Sequence, residues 1–180
     1  MKKINLLLLA LLGSAVLLSS CHKDDNQVYY QVGDQIFVTD ASSSNSFEIQ
    51  AAKLAMTRGK SDSVKVFADS MVNDNTKIAA SLSAVASQNG FTISSTLQQV
   101  DQNNLNALNL LTGVAFDKQY TAIMVTAHQG VVTLYMNAGA FNGVGNASLR
   151  AFASGEVPAL QTQLALSQRL AQAVSVETGQ

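Results

Sequence analysis

Between residues 62 and 88, apolar side chains return every three or four positions: Val64, Phe67, Ala68, Met71, Val72, Ile78, Ala79, Leu82, Val85 and Ala86. Intervals of three, four and seven place them on one face of an α-helix, and a face this apolar needs a partner surface. At 1.5 Å per residue the helix is about 40 Å long. Nothing in this stretch breaks it, because the chain's one proline is Pro158.

The same periodicity recurs along the chain. Phe37, Ala41, Ser44, Glu48, Ala51, Ala52 and Ala55 predict a helix over 35–57, with Gly59 as its stop. Ser61 or Asp62 is the expected cap of the second helix, and Asn89-Gly90 its end. Leu97, Val100, Leu105, Leu108 and Leu111 predict a shorter helix over 97–111. Phe116, Tyr120, Ile123, Met124, Ala127, Val131, Leu134 and Ala138 predict a long one over 114–140. Asn146 is a good N-cap for a last helix over 147–172, in which Pro158 should produce a kink or a local break. No segment alternates as a strand does. Four long amphipathic helices and one short one, joined by short turns, predict an all-α antiparallel four-helix bundle.

The N-terminus has another character. Lys2 and Lys3 precede an apolar run from Ile4 to Leu18, and Leu18-Ser19-Ser20-Cys21 looks like a lipobox. Such a leader is a secretory signal and takes no part in the fold. Cys21 is the chain's one cysteine, so it has no disulfide partner, and acylation at this position disposes of a free thiol. Each buried methylene contributes about 0.8 kcal/mol, so two or three acyl chains anchor a protein firmly. Cys21-His22-Lys23-Asp24-Asp25-Asn26 resembles the charged export signal of surface lipoproteins in Bacteroidetes. The expected organisation is a signal peptide over 1–20, a lipidated polar tether over 21–33, a helical domain over 34–173 and a tail over 174–180. Outer-membrane attachment, with outward display as the further possibility, is the expected location.

Without Lys2 and Lys3 the mature chain holds 9 basic and 12 acidic residues, a formal charge of −3. No basic run exists, which argues against nucleic acid as a partner. Charged residues make up 13% of the chain, about half the usual share, and Ser, Asn, Gln and Thr carry the polar surface instead. No nucleophile elbow, phosphate-binding loop or zinc-protease motif occurs. His22 lies in the tether, so the domain holds a single histidine, His128, and a Ser–His–Asp triad has no evident serine.

Helices two and four echo each other at an offset of 53 residues. Phe67, Met71, Ile78 and Leu82 align with Tyr120, Met124, Val131 and Tyr135, which sets Asn75 against His128. Four polar positions lie on inward rows: Glu48, Asn75, His128 and Gln163. Carboxylates and imidazoles converging from several helices are how bundles build metal sites, but this set holds one of each beside two amides. Asp74 would add a carboxylate if it turned inward. The structural reading is that Glu48 and His128 pair across the core, with Tyr120 and Tyr135 as core or boundary aromatics whose hydroxyls reach water.

Phe47-Glu48 in the first helix, Phe67-Ala68-Asp69-Ser70-Met71-Val72-Asn73-Asp74 in the second, Phe116-Asp117-Lys118-Gln119-Tyr120 and Met124-Val125-Thr126-Ala127-His128 in the fourth, and Val157-Pro158-Ala159-Leu160 in the fifth carry a resemblance. In order and spacing the stretch Phe37–Leu170 resembles the bacterial domain of unknown function 4142, a ferritin-like helical bundle of secreted and envelope proteins. The resemblance implies a histidine where this chain has Asn75, an Asp-His pair where it has Ala127-His128, and a histidine where it has Gln163. Glu48 and Asp74 match the family's pattern. The expectation is therefore an envelope protein that binds, scaffolds or responds to stress without catalysis and without a cofactor, its partners being the membrane and an envelope or surface protein. The alternative is a degenerate ferritin-like oxidase or metal-binding domain, with Glu48, Asp74 and His128 around iron, manganese or zinc.

Overall fold

A computed structural model describes residues 32–177 and 179, except 95. Within it are five helices: α1 (Asp34–Arg58), α2 (Asp62–Gln88), α3 (Gln99–Asn109), α4 (Gly113–Gly139) and α5 (Ala147–Glu177). The leader, Cys21 and the tether as far as residue 31 lie outside the described residues.

The directions of the helices follow from how the core divides. One apolar cluster contains Phe47, Ala55, Val64, Met71, Phe116, Met124, Leu170 and Val174. The other contains Phe37, Ala41, Ile78, Leu82, Val131, Tyr135, Leu149 and Leu160. Thus α1 and α5 run from the second cluster to the first, and α2 and α4 run the opposite way. Helix α4 packs most extensively on α5 and α1 on α2, while α1–α4 and α2–α5 close the bundle. Every neighbouring pair is antiparallel and the diagonal pairs are parallel. The echo at offset 53 therefore falls on two parallel, diagonal helices, and its aligned residues sit at matching levels.

Running α4 in the direction of α2 requires the chain to return along the bundle between them. Residues 89–112, where the sequence predicts a shorter helix, make that crossover, and one long crossover is the connectivity of ferritin-like bundles. Helix α3 lies within it and runs beside α1. The Ser43 hydroxyl donates to Asp101 Oδ2 at 2.5 Å and accepts the Gln98 N–H at 2.7 Å, while Gln98 Nε2 donates to Asp40. At the other end, Arg58 Nη1 donates to the carbonyl of Asn109 at 3.0 Å. With α3 on its outer side, α1 is buried well beyond one stripe, and Ser42, Ser43, Ala51 and Ala52 are small enough for close approach.

Three local expectations change. Ser61 is the N-cap of α2, but neither its side chain nor that of Asp62 makes the capping bond. Asp117 of α4, itself buried, accepts the Lys60 N–H at 3.1 Å and the Ser61 N–H at 2.8 Å. A Cβ on Gly59 would stand 2.7 Å from the Ala55 carbonyl and 2.9 Å from Asp117 Oδ1, so glycine is required there. Secondly, α5 runs unbroken through Pro158. Proline leaves the Ser154 carbonyl without its helical donor, and both residues are exposed, so a carbonyl freed there is not confined to an apolar core. Thirdly, α5 continues to Glu177, so residues 174–177 form its last turn, and Val174 is buried. Asn146 caps α5 as expected, its Oδ1 accepting the N–H groups of Ser148 and Leu149, each at 3.0 Å.

Because Asp117 serves two part-buried N–H groups, Asp117→Ala should lose about 2 kcal/mol, a fall in Tm of about 4–8 °C. Ser61→Ala should stay within about 0.5 kcal/mol. Thermal unfolding of the two variants checks this, and equal losses would contradict the assignment of the cap to α4.

Candidate functional site

Between the two apolar clusters each long helix turns polar at one level. Helix α1 brings Asn45 and Glu48, α2 Asn75, α4 His128, and α5 Gln163 and Ser167, all buried. These positions follow from the stripes: Glu48 stands one turn from Ala51 and Ala52, Asn75 four residues after Met71, and His128 four after Met124. The helical period that carries the apolar residues inward carries these polar ones inward with them.

His128 Nδ1 lies 2.7 Å from the Met124 carbonyl. A carbonyl only accepts, so Nδ1 carries a proton, and Nε2 has no hydrogen-bond partner among the described residues. That nitrogen faces Glu48 Oε2 at 3.9 Å, too far for a hydrogen bond. The ring also meets the Phe67 edge, with centroids 6.3 Å apart. Eight buried side-chain atoms of the layer have no hydrogen-bond partner among the described residues: Asn45 Nδ2, Glu48 Oε1, both amide atoms of Asn75, Tyr120 Oη, His128 Nε2, Tyr135 Oη and Gln163 Oε1.

Electrostatics follows from this burial. Loss of solvent raises the Glu48 carboxyl above its ordinary 4.5; the nearby His128 and Asn75 favour the charged form but do not outweigh it, and Asp101 adds a push upward. The Asn75 amide stands close to Glu48 without closing a hydrogen bond of normal geometry. Tyr120 is raised by burial and then by the charge of Glu48, and Tyr135 by burial, Glu156 and Glu48. Both phenols keep their protons.

Four of the residues anticipated from sequence, Glu48, Asn75, His128 and Gln163, therefore meet at one level. Asp74 does not join them: its side chain is 48% exposed and pairs with Lys77 at 3.5 Å. Ala127 is partly buried against the first apolar cluster. The hydroxyls of Tyr120 and Tyr135 are buried rather than wet. Sequence reading missed Asn45, three residues before Glu48 on the same face, and it missed Asp117 and Asp101, whose burial comes from the crossover and the α1–α2 turn. The spacing to Glu48 was a sufficient signal for Asn45; no local pattern marks the other two.

A ferritin-like dimetal centre takes a glutamate from each of two helices and a Glu-x-x-His pair from each of the other two. Here the layer offers one carboxylate and one imidazole, and no group of three or more His, Cys, Asp or Glu suited to a metal occurs among the described residues. The donor set does not fit that centre. No serine hydroxyl bonds His128, so a hydrolytic triad is not assembled either. What the layer does offer is a set of unpaired acceptors and donors inside an apolar shell.

The fold and this layer define an all-α bundle with a polar middle. The chain belongs to the family of the domain of unknown function DUF4142, whose sequence profile matches residues 20–170. No curated protein and no solved structure matches it.

A carboxyl whose folded-state pKa is raised stabilises the fold fully below its unfolded value, and that contribution is lost as pH rises through the folded value. Glu48→Gln should therefore unfold at higher temperature than the native chain at pH 7–8, with the difference shrinking towards pH 4.5. Each kcal/mol gained corresponds to about 2–4 °C. Calorimetry across that pH range checks this; a variant less stable at pH 8 than the native chain would contradict it.

Proposed function

We propose that this protein is a lipid-anchored helical bundle of the cell envelope, held on the outer membrane through Cys21, that binds a partner or ligand without catalysis. The observation that carries the reading is the donor set of the polar layer: one carboxylate and one imidazole 3.9 Å apart, with amides at the levels where the family pattern has imidazoles. Neither dimetal chemistry nor nucleophilic catalysis has its full complement of groups there.

The lipobox-like sequence and the single cysteine support the anchor. No helix among the described residues is long and apolar enough to cross a membrane. The Val32 N–H donates to the Gly143 carbonyl at 3.1 Å, so the tether arrives at the α4–α5 turn. Phe141 in that turn is 90% exposed, and in this reading it faces the lipid surface. The partners are the membrane and an envelope or surface protein; a mature charge of −3 disfavours nucleic acid. No cofactor is needed. The second reading, a residual iron, manganese or zinc site, rests on the unpartnered His128 Nε2 beside Glu48.

Two measurements separate the readings. The mature chain, purified in detergent, incubated with iron, manganese and zinc and desalted, should retain metal only at background. Near-stoichiometric metal that disappears in His128→Ala would overturn the non-catalytic reading. In fractionated cells Cys21→Ser should move the protein from the membrane to the soluble fraction; unchanged membrane association would contradict the anchor.

A further inference from the structure

The starts of α1 and α5 and the ends of α2 and α4 meet at one end of the bundle, where hydrogen bonds tie them together. The Val32 N–H donates to the Gly143 carbonyl at 3.1 Å, the Asn146 N–H to Asp34 Oδ1 at 2.9 Å, and Asn146 Nδ2 to Asn89 Oδ1 at 3.0 Å. The α4–α5 turn, the start of α1 and the end of α2 therefore form a single face.

Three observations define what covers this face. First, large apolar side chains stand outward on it: Phe141 in the α4–α5 turn is 90% exposed, and Ile36 in the first turn of α1 is 61% exposed. The Ile36 side chain lies over Gly33, where a Cβ would stand 3.2 Å from its Cδ1, beside the Val32–Gly143 bond. Phe141 and Ile36 thus flank the point where the tether joins the bundle. Secondly, the face is almost free of charge. No Lys, Arg, Asp or Glu occurs over 78–100 or over 119–149. Of the charged residues that reach it, Asp34 accepts the Asn146 N–H, and Arg150 Nη1 donates to the Val144 carbonyl at 2.6 Å. The opposite end carries Arg58, Lys60, Asp62, Lys118 and Glu177. An aromatic ring among uncharged amides enters a headgroup boundary at far lower cost than ionised groups do. Thirdly, the tether decides which end reaches a membrane. Cys21 and Val32 are eleven residues apart, about 36–40 Å at full extension. The far end of α1 lies about 37 Å along the bundle, 25 residues at 1.5 Å each. Turning that end to the membrane would consume nearly the whole tether, whereas the Val32 end needs almost none of it.

We propose that the end face bearing Phe141 and Ile36 is a docking surface for the lipid bilayer, which stands the bundle upright on the membrane. The Phe141 ring enters the boundary between headgroups and acyl chains with Ile36 beside it, and the far end, where Leu110 is 85% exposed, points away. Two apolar side chains are too small a face to hold the protein by themselves. The acyl chains on Cys21 supply the attachment and the face supplies the orientation. The proposal rests on the lipid-anchor reading above and adds to it a second contact, made by the folded domain.

The chain has no tryptophan, so a single introduced one reports alone. The lipidated mature chain carrying Phe141→Trp is reconstituted in vesicles of phosphatidylethanolamine and phosphatidylglycerol, with and without brominated acyl chains. Leu110→Trp, at the opposite end, is the reference. In Phe141→Trp the emission should shift to the blue relative to Leu110→Trp and fall several-fold on bromination, as expected of a ring about 5–10 Å into the headgroup boundary. Leu110→Trp should emit as a solvent-exposed indole and stay unquenched. If Phe141→Trp does not fold, Ile36→Trp decides by the same readings. Equal emission and quenching at the two ends would overturn the docking surface. A blue shift without quenching would mean that a protein surface, such as a second copy, covers Phe141, and would overturn it too. Flotation of the same vesicles scores the anchor separately. A chain that floats with Phe141→Trp unquenched overturns the face alone; a chain that does not float overturns the anchor reading and the face with it.

Discussion

The burial of Glu48 beside His128 is the constraint around which the bundle is arranged. A carboxyl wholly removed from water is costly in its charged form, and the imidazole held by the Met124 carbonyl stands 3.9 Å away, too far for a hydrogen bond. The structure accommodates the pair by gathering polar groups from all four long helices at one level and sealing that level between two apolar clusters. Such a layer costs stability relative to an apolar core. What it contributes is register. Sliding one helix by a turn would take Glu48 or His128 out of the polar level and into an apolar cluster, so a single alignment satisfies both the clusters and the layer.

The crossover follows from the same arrangement. Diagonal helices must be parallel for Asn75 and His128 to stand at one height with their Met-Val pairs on the same side, and that demands a connection running the length of the bundle. Helix α3 is the ordered part of that connection. By covering α1 it buries Ser43 and Asp101, whose hydrogen bond fixes the crossover to the bundle. At the opposite end Asp117 ties the start of α2 to α4. The polar groups outside the layer thus hold the connections, whereas those within it face one another.

Much of this was legible in the sequence because one physical rule, the 3.6-residue period, governs both what is buried and which residues share a level. The helices fall within a few residues of expectation, and the four inward polar positions meet. What the period does not report is the neighbour across a turn. Asp117 reads as an exposed polar residue at the start of a helix, and only the α1–α2 turn folded over it makes it a cap. Pro158 reads as a break, yet it and Ser154, whose carbonyl it leaves without a donor, are exposed, and the helix runs on. Asp74 sits one position from the inward row, and a step of 100° is enough to turn it outward to Lys77. The Tyr hydroxyls read as wet because phenols usually are; the sealing of the layer by two apolar clusters is a property of the whole bundle.

The account stands on Glu48 being held in the interior with its proton favoured by burial. The direct measurement is a carbon-13 NMR titration of the Glu48 side-chain carboxyl in the folded protein. The account predicts a midpoint above the ordinary 4.5, with the protonated form persisting where solvent-exposed glutamates are ionised. A midpoint at or below 4.5 would mean that the carboxylate is charged and paired in the core, and the layer would then be an ion-pair centre rather than a sealed polar one.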